Sequence, residues 1–160
     1  MDDGLLTRAV RANHELFLLT GDRIAATLSG LGLTSATASL LVVIDPEQEP
    51  PTMKALAQRL YCNAPNLTFL IDQVAARGLV ERVVATRDRR QRAALLTKKG
   101  ESTRATLMDA TLAASPLRHL TEEERTTVAI ILEGALTRAK EPPVEPDPQA
   151  TSRHRKEQDM

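Results

Sequence analysis

The hydrophobic period of this chain changes at Gly78, and that change does most to limit what it can fold into. Before it, Leu67, Leu70, Ile71 and Val74 recur at i, i+3, i+4 and i+7, one face of a helix. After it, Leu79-Val80-Glu81-Arg82-Val83-Val84-Ala85 is β-branched and roughly alternating, and Arg92-Ala93-Ala94-Leu95-Leu96-Thr97 is a second strand candidate. Residues 86–91 between them form a charged tip without an apolar side chain. Upstream, Thr52 is a good N-cap for a short helix over 53–60 with Leu56, Ala57 and Leu60 inward. Tyr61-Cys62 makes a turn, Asn63 caps the next helix, and Pro65 sits in its first turn, where a missing N–H costs nothing. Gly78 is the stop signal of that helix. Two short helices around a tight turn are a helix-turn-helix, and a hairpin with a cationic tip behind it is a wing.

The flanks read as helices. Leu5, Leu6, Ala9, Val10, Leu16, Phe17, Ile24 and Leu28 predict one long helix over 5–28, closed by Gly30-Leu31-Gly32. Thr34 or Ser35 caps a second helix carrying Ala38, Leu41 and Val42, followed by an acidic, proline-rich loop over 45–51. A helix from Thr97 to about Ala114 closes at Pro116, and the capping box at residues 121–124 opens a last one through Leu136. Four prolines within 142–148 and a polar end predict a disordered tail over 141–160. The fold expected is mostly α with a small β-hairpin. An N-terminal dimerisation helix (1–33) precedes the winged helix-turn-helix domain (34–100, recognition helix 63–77, wing 79–97), and C-terminal helices (101–140) complete the dimerisation region.

The formal charge is zero, yet residues 1–50 are net −4 and residues 77–104 net +6, which focuses positive potential on the wing. Aromatic residues are 2% of the chain, too few for a groove that stacks single-stranded bases. The glycines form no phosphate-cradling loop, and the three histidines have no metal-ligand spacing, so neither cofactor nor metal is expected. There is no nucleophile–base pair to suggest an enzyme. Cys62 is the sole cysteine, which excludes an intrachain disulfide and suits a reducing, cytoplasmic setting. The acidic N-terminus does not read as a signal peptide, and the longest apolar run, residues 40–44, is too short for a membrane span.

Leu-Ala-Gln-Arg-Leu (56–60), Leu-Ile-Asp-Gln-Val-Ala-Ala-Arg-Gly-Leu-Val-Glu-Arg (70–82), Asp-Arg-Arg (88–90) and Leu-Leu-Thr-Lys-Lys-Gly (95–100) stand in the order and spacing of one family. Over about residues 5–139 the chain resembles the MarR family of winged-helix transcription regulators. The resemblance implies a triangular homodimer on a pseudo-palindromic operator, often released by a small phenolic or other aromatic effector. It also implies that Arg90 pairs with Asp72 of the recognition helix, fixing the wing's angle. Phe69 stands where the family commonly has Arg, and Tyr61-Cys62 where a Gly-Leu-like pair is usual.

The residues assigned to double-stranded DNA are Asn63, Pro65, Asn66, Thr68, Phe69 and Gln73 on the helix, and Arg87, Arg89 and Arg90 on the wing. Asn66 in the first turn either pairs with an adenine edge or merely adjusts the helix start. Phe69 either lies against thymine methyls or folds back over the core. Arg87 and Arg89 suit a narrow, A·T-rich minor groove. Lys54, Arg77, Lys98 and Lys99 are phosphate contacts or surface charge. Cys62 is either a redox sensor or a small packed turn residue. His14, Phe17 and Leu41 are the candidate effector pocket, with a structural role the alternative for His14. Leu5, Leu6, Ala9 and Val10, with Val128, Ile131, Leu132 and Leu136, are assigned to dimerisation. The function expected is a sequence-specific regulator, a ligand-responsive repressor. The alternative is a winged-helix interaction module that has lost DNA binding, which the charge focused on the wing argues against.

Overall fold

Side-chain caps start most of the helices, and left-handed residues end three of them. In the computed structural model, which describes residues 3–140, the chain runs α1 (Asp3–Leu31), α2 (Ser35–Val43), α3 (Met53–Arg59), α4 (Ala64–Ala76), β1 (Val80–Val84), β2 (Arg92–Leu96), α5 (Lys98–Ala114), a 3₁₀ turn (Pro116–His119) and α6 (Glu122–Lys140). Thr34, Thr52, Asn63 and Thr97 each accept a hydrogen bond from a backbone N–H in the first turn of the helix they precede. The segment over 141–160, expected to be disordered, lies outside the described residues.

The ends of α1, α3 and α4 share one geometry. After each, a residue with positive φ donates to the carbonyl three residues back, and the next residue donates five back: Gly32 and Leu33, Tyr61 and Cys62, Gly78 and Leu79. Two of the three positions hold glycine, as the left-handed conformation prefers. The third is Tyr61 at φ 51°. A non-glycine residue there costs roughly 1–2 kcal/mol, which the paired turn and the half-buried Cys62 behind it must offset. Cys62 packs half-buried against the side of the core.

The hairpin pairs antiparallel, Val80 opposite Leu96 through Val84 opposite Arg92. Thr52 bridges Ala93, and Ala94 donates to the carbonyl of Pro51 at 3.1 Å, so the chain entering α3 covers the free edge of β2. The core beneath is aliphatic. Leu40, Leu41, Ile44, Leu56, Leu67, Ile71, Val74, Leu79 and Leu107 are its largest fully buried side chains. No aromatic takes part: Phe17, Tyr61 and Phe69 are 74%, 78% and 61% exposed.

By its contacts the chain divides into two compact units, Met1–Arg118 and His119–Met160. In the first, α1 packs on α5 and α2, while α4 packs on α2, α3 and β1. In the second, the Thr121 N–H donates to Glu124 and the Glu124 N–H to the Thr121 hydroxyl, the reciprocal box the sequence predicts. Glu122, Glu123 and Glu124 in the first turn of α6, and Arg138 and Lys140 in its last, complement the helix dipole. Two sequence expectations are revised. The first helix runs further at both ends than 5–28, because nothing before Gly32 breaks it, and the 3₁₀ turn after Pro116 was not foreseen.

Candidate nucleic-acid interface

The start of α4 is built by Asn63, whose side-chain oxygen accepts the N–H of Asn66 at 2.9 Å. Asn63 is therefore first a cap, with its amide nitrogen and one lone pair of its oxygen left to reach a ligand. With Leu67, Ile71 and Val74 buried, the opposite face presents Pro65, Asn66, Thr68, Phe69 and Gln73, all exposed. The side chains of Asn66 and Gln73 make no hydrogen bond among the described residues, while the Thr68 hydroxyl donates back to Ala64 at 2.9 Å. Of the two readings of Phe69, the structure gives the outward one.

The wing tip is folded by Asp88. Its carboxylate accepts the Arg90 N–H at 2.9 Å and the Gln91 amide at 3.1 Å, and its carbonyl accepts the Gln91 N–H at 2.9 Å. Those bonds, the backbone one first, hold the Asp88 carboxyl below its usual range. Because the folded-state value is the lower one, this hold is complete at neutral pH and is lost only on acidification. It leaves the guanidinium groups of Arg89 and Arg90 projecting without a carboxylate partner among the described residues. Arg87 stands beside Glu49 of the acidic loop at 3.2 Å and is 89% exposed, so water still reaches it freely.

Asp72 has a partner, but it is not Arg90. Its carboxylate meets the Arg82 guanidinium at 2.6 Å. The reason is register: β1 lies against α4, so a strand residue faces the helix. Arg90 belongs to the turn beyond the last rung, Val84–Arg92. The helix-to-wing strut that the resemblance implied is present with a different arginine.

The structure also divides the basic segment. The Arg77 guanidinium donates to the carbonyls of Leu31 and Gly32, Lys99 donates to the Arg77 carbonyl, and Arg104 reaches the Val42 carbonyl. With Arg82 on Asp72, four of its nine cations serve the fold. Arg87, Arg89, Arg90, Arg92 and Lys98, all exposed, carry the outward positive field. Sequence alone left Arg77 and Lys99 as phosphate contacts or surface charge, since it does not show which helix ends need a cationic cap.

A cleft of about 520 Å³ lies between α1, α2, the end of α3 and α5, lined by Phe17, Ile24, Leu28, Val42, Tyr61 and Leu107 among others. Phe17 lines it. Leu41 does not, being fully buried in the core, and His14 is exposed and outside the lining. Leu41 is a matter of helical phase, since its neighbour Val42 lines the cleft. His14 shares a face with Phe17 but lies about one turn before the cleft begins. The sequence pointed neither to Tyr61 nor to Arg59, which also lines the cleft. Of the dimerisation candidates, Leu5, Leu6, Ala9, Val10, Ile131, Leu132 and Leu136 are exposed and Val128 is half-buried. No single described helix is long and apolar enough to cross a membrane.

The MarR family profile matches residues 31–91, the stretch from the end of α1 to the wing. Solved structures extend the likeness to most of the chain. The transcriptional regulator PA3341 is 25% identical, covering 85% of this chain and 98% of its own, with TM-score 0.69. A MarR-family regulator from Silicibacter pomeroyi is 20% identical over 88% of this chain and 96% of its own, with TM-score 0.73. CouR from Rhodococcus jostii RHA1 bound to p-coumaroyl-CoA is 22% identical over 89% and 96%, with TM-score 0.70. The repressor CouR on a 23-mer DNA duplex is 22% identical over 86% and 98%, with TM-score 0.62. No curated protein matches the chain. Residues 31–91 carry the winged helix-turn-helix of the MarR family, and the chain has the fold of that family's transcription regulators.

Proposed function

We propose that this protein is a homodimeric, sequence-specific repressor of transcription that binds pseudo-palindromic double-stranded DNA and is released by a small aromatic effector. The observation that carries the reading is the outer face of α4 beside the wing tip. There the side chains of Asn66 and Gln73 make no hydrogen bond among the described residues, Phe69 is exposed, and the guanidinium groups of Arg89 and Arg90 have no carboxylate partner among them. In this reading Asn66, Gln73 and Phe69 meet base edges in the major groove, with Pro65 and Thr68 beside them, while Arg87, Arg89 and Arg90 reach the flanking minor groove. The exposed apolar faces of α1 and of α6 each supply surface for a second copy, since large side chains such as Leu6 (64% exposed) and Ile131 (60% exposed) are otherwise left in water. The cleft with Phe17 and Tyr61 takes the effector, which acts by favouring a dimer whose helix spacing no longer fits the DNA. The likeness to CouR, solved with an aromatic CoA thioester and on DNA, supports both halves of the proposal. In this reading the protein acts in the cytoplasm.

The protein is expected to sediment as a dimer at micromolar concentration and to select, from a random pool of duplexes, inverted repeats with half-sites centred about 10 base pairs apart. Sedimentation as a monomer, or selection of no duplex, defeats the proposal. The Asp72–Arg82 strut gives a sharper test. Asp72→Ala removes a negative charge beside the phosphates, so bare electrostatics predicts tighter binding. Loss of the strut instead frees the wing, and we expect binding weaker by about two- to fivefold, as suits an exposed pair. A gel-shift titration at fixed salt, with circular dichroism to confirm folding, reads the sign. Equal or tighter binding removes the strut from the mechanism.

A further inference from the structure

Arg77 is the last residue before the Gly78 stop, and by its charge it belongs with the DNA-facing cations. Its placement says otherwise. The guanidinium turns away from the wing and donates to two carbonyls at the end of α1, that of Leu31 at 2.6 Å and that of Gly32. Those are orphan acceptors of a 29-residue helix whose last turn carries no basic residue of its own. Gly32 makes room for it, because a Cβ at that position would overlap the guanidinium. At its other end Arg77 is also held: its carbonyl accepts Lys99 Nζ at 2.9 Å, and the neighbouring Gly78 carbonyl accepts the Thr97 hydroxyl at 2.6 Å. Nonpolar packing links the two helices through the shared core and α2, since α1 rests mainly on α5 and α2 while α4 rests on α2, α3 and β1; the Arg77 guanidinium adds a direct polar tie.

We infer that Arg77 is a positioning residue that ties the end of the recognition helix to the end of α1, so that any movement of α1 is passed to the helix that reads DNA. The inference rests on the DNA-binding reading above and assigns a mechanical role to one of its cations. The planar fork is what the role requires. Two carbonyls presented side by side take a bidentate donor, which a lysine ammonium does not reproduce. Since α1 contributes Phe17, Ile24 and Leu28 to the cleft and an exposed apolar face toward a second copy, both an effector and the dimer contact bear on the same lever.

Three variants separate this role from a phosphate contact. Arg77→Ala removes the tie, Arg77→Lys keeps the charge but not the fork, and Gly32→Ala keeps Arg77 while expelling its guanidinium. Gly78→Ala is the control, for it carries the same positive-φ cost with open space around its Cβ. Hydrogen exchange at the Gly32 and Leu33 amides, which close α1, should quicken in the first three variants and not in the control. On a duplex selected by the parent protein, the first three should lose about tenfold in affinity. The slope of log affinity against log salt should not change, and discrimination between half-site spacings should narrow. If Arg77→Lys binds like the parent and Arg77→Ala lowers the slope by about 1.8, roughly 0.9 for each protomer, Arg77 is a phosphate contact and the inference is overturned. Unaltered exchange at Gly32 and Leu33 overturns it as well. A parent that selects no duplex overturns the DNA-binding reading instead, and the exchange measurement still reports whether the tie exists.

Discussion

Gly100→Ala is expected to destabilise the protein by about 3 kcal/mol or more, lowering its thermal midpoint by roughly 10 °C. Alanine in place of glycine inside a helix ordinarily gains about 1 kcal/mol, so the sign is the test. Gly100 is buried in the first turn of α5, where its N–H donates to the Thr97 hydroxyl at 3.0 Å. A Cβ there would fall on the carbonyl oxygen of Leu79 and press the Leu96 side chain. That carbonyl is not free to withdraw. It accepts the Thr97 N–H at 3.1 Å and leads directly into β1, whose first rung pairs Val80 with Leu96. Relief would require moving the hairpin off α5, at the cost of the buried Val80, Ala94 and Leu96. A urea titration followed by circular dichroism measures the loss, and a midpoint equal to or above the parent's would show that the backbone yields cheaply.

The second large effect is on binding. Reversing both unpaired cations of the wing, Arg89→Glu with Arg90→Glu, should weaken operator binding on the order of 10³-fold at moderate salt. The slope of log affinity against log salt should flatten by about 3 to 4, roughly 0.9 for each of the four cations that the two wings of a dimer lose. The fold should be indifferent. Both side chains are exposed, and the bond that shapes the turn uses the Arg90 backbone N–H, so stability should shift by no more than about 0.5 kcal/mol. A double variant that binds as the parent does would take the wing out of the interface. One that loses binding through unfolding would instead mean that the tip carries more of the fold than its exposure indicates, and the thermal midpoint separates these.

Much of this architecture is written locally. Thr52, Asn63 and Thr97 begin helices because an oxygen one or two atoms beyond Cβ reaches a first-turn N–H, and nothing distant needs to be known. The i, i+3, i+4, i+7 pattern of Leu67, Leu70, Ile71 and Val74 chose the buried face of α4. The alternation after Gly78 chose the hairpin, and residues 86–91 could only be its tip. The exposed reading set followed by subtraction, which is why Asn66, Phe69 and Gln73 were legible before any coordinates.

What the sequence by itself determined, then, is the order of elements, their caps, their buried faces and the concentration of positive charge near the wing. Tertiary structure decided which charge meets which acceptor. Asp72 takes Arg82 rather than Arg90 because β1 lies along α4 and the tip does not. Arg77 turns to the end of α1, forty-five residues away in the chain, because packing brings two orphan carbonyls beside it and Gly32 leaves the space. Leu41 goes to the core and Tyr61 to the cleft because the crossing of α1 over α2 sets where the cleft opens. Caps and periodicity depend on neighbours within one or two turns. Ion pairs, arginine caps and clefts depend on distances between residues far apart in the chain, and only the packed core sets those.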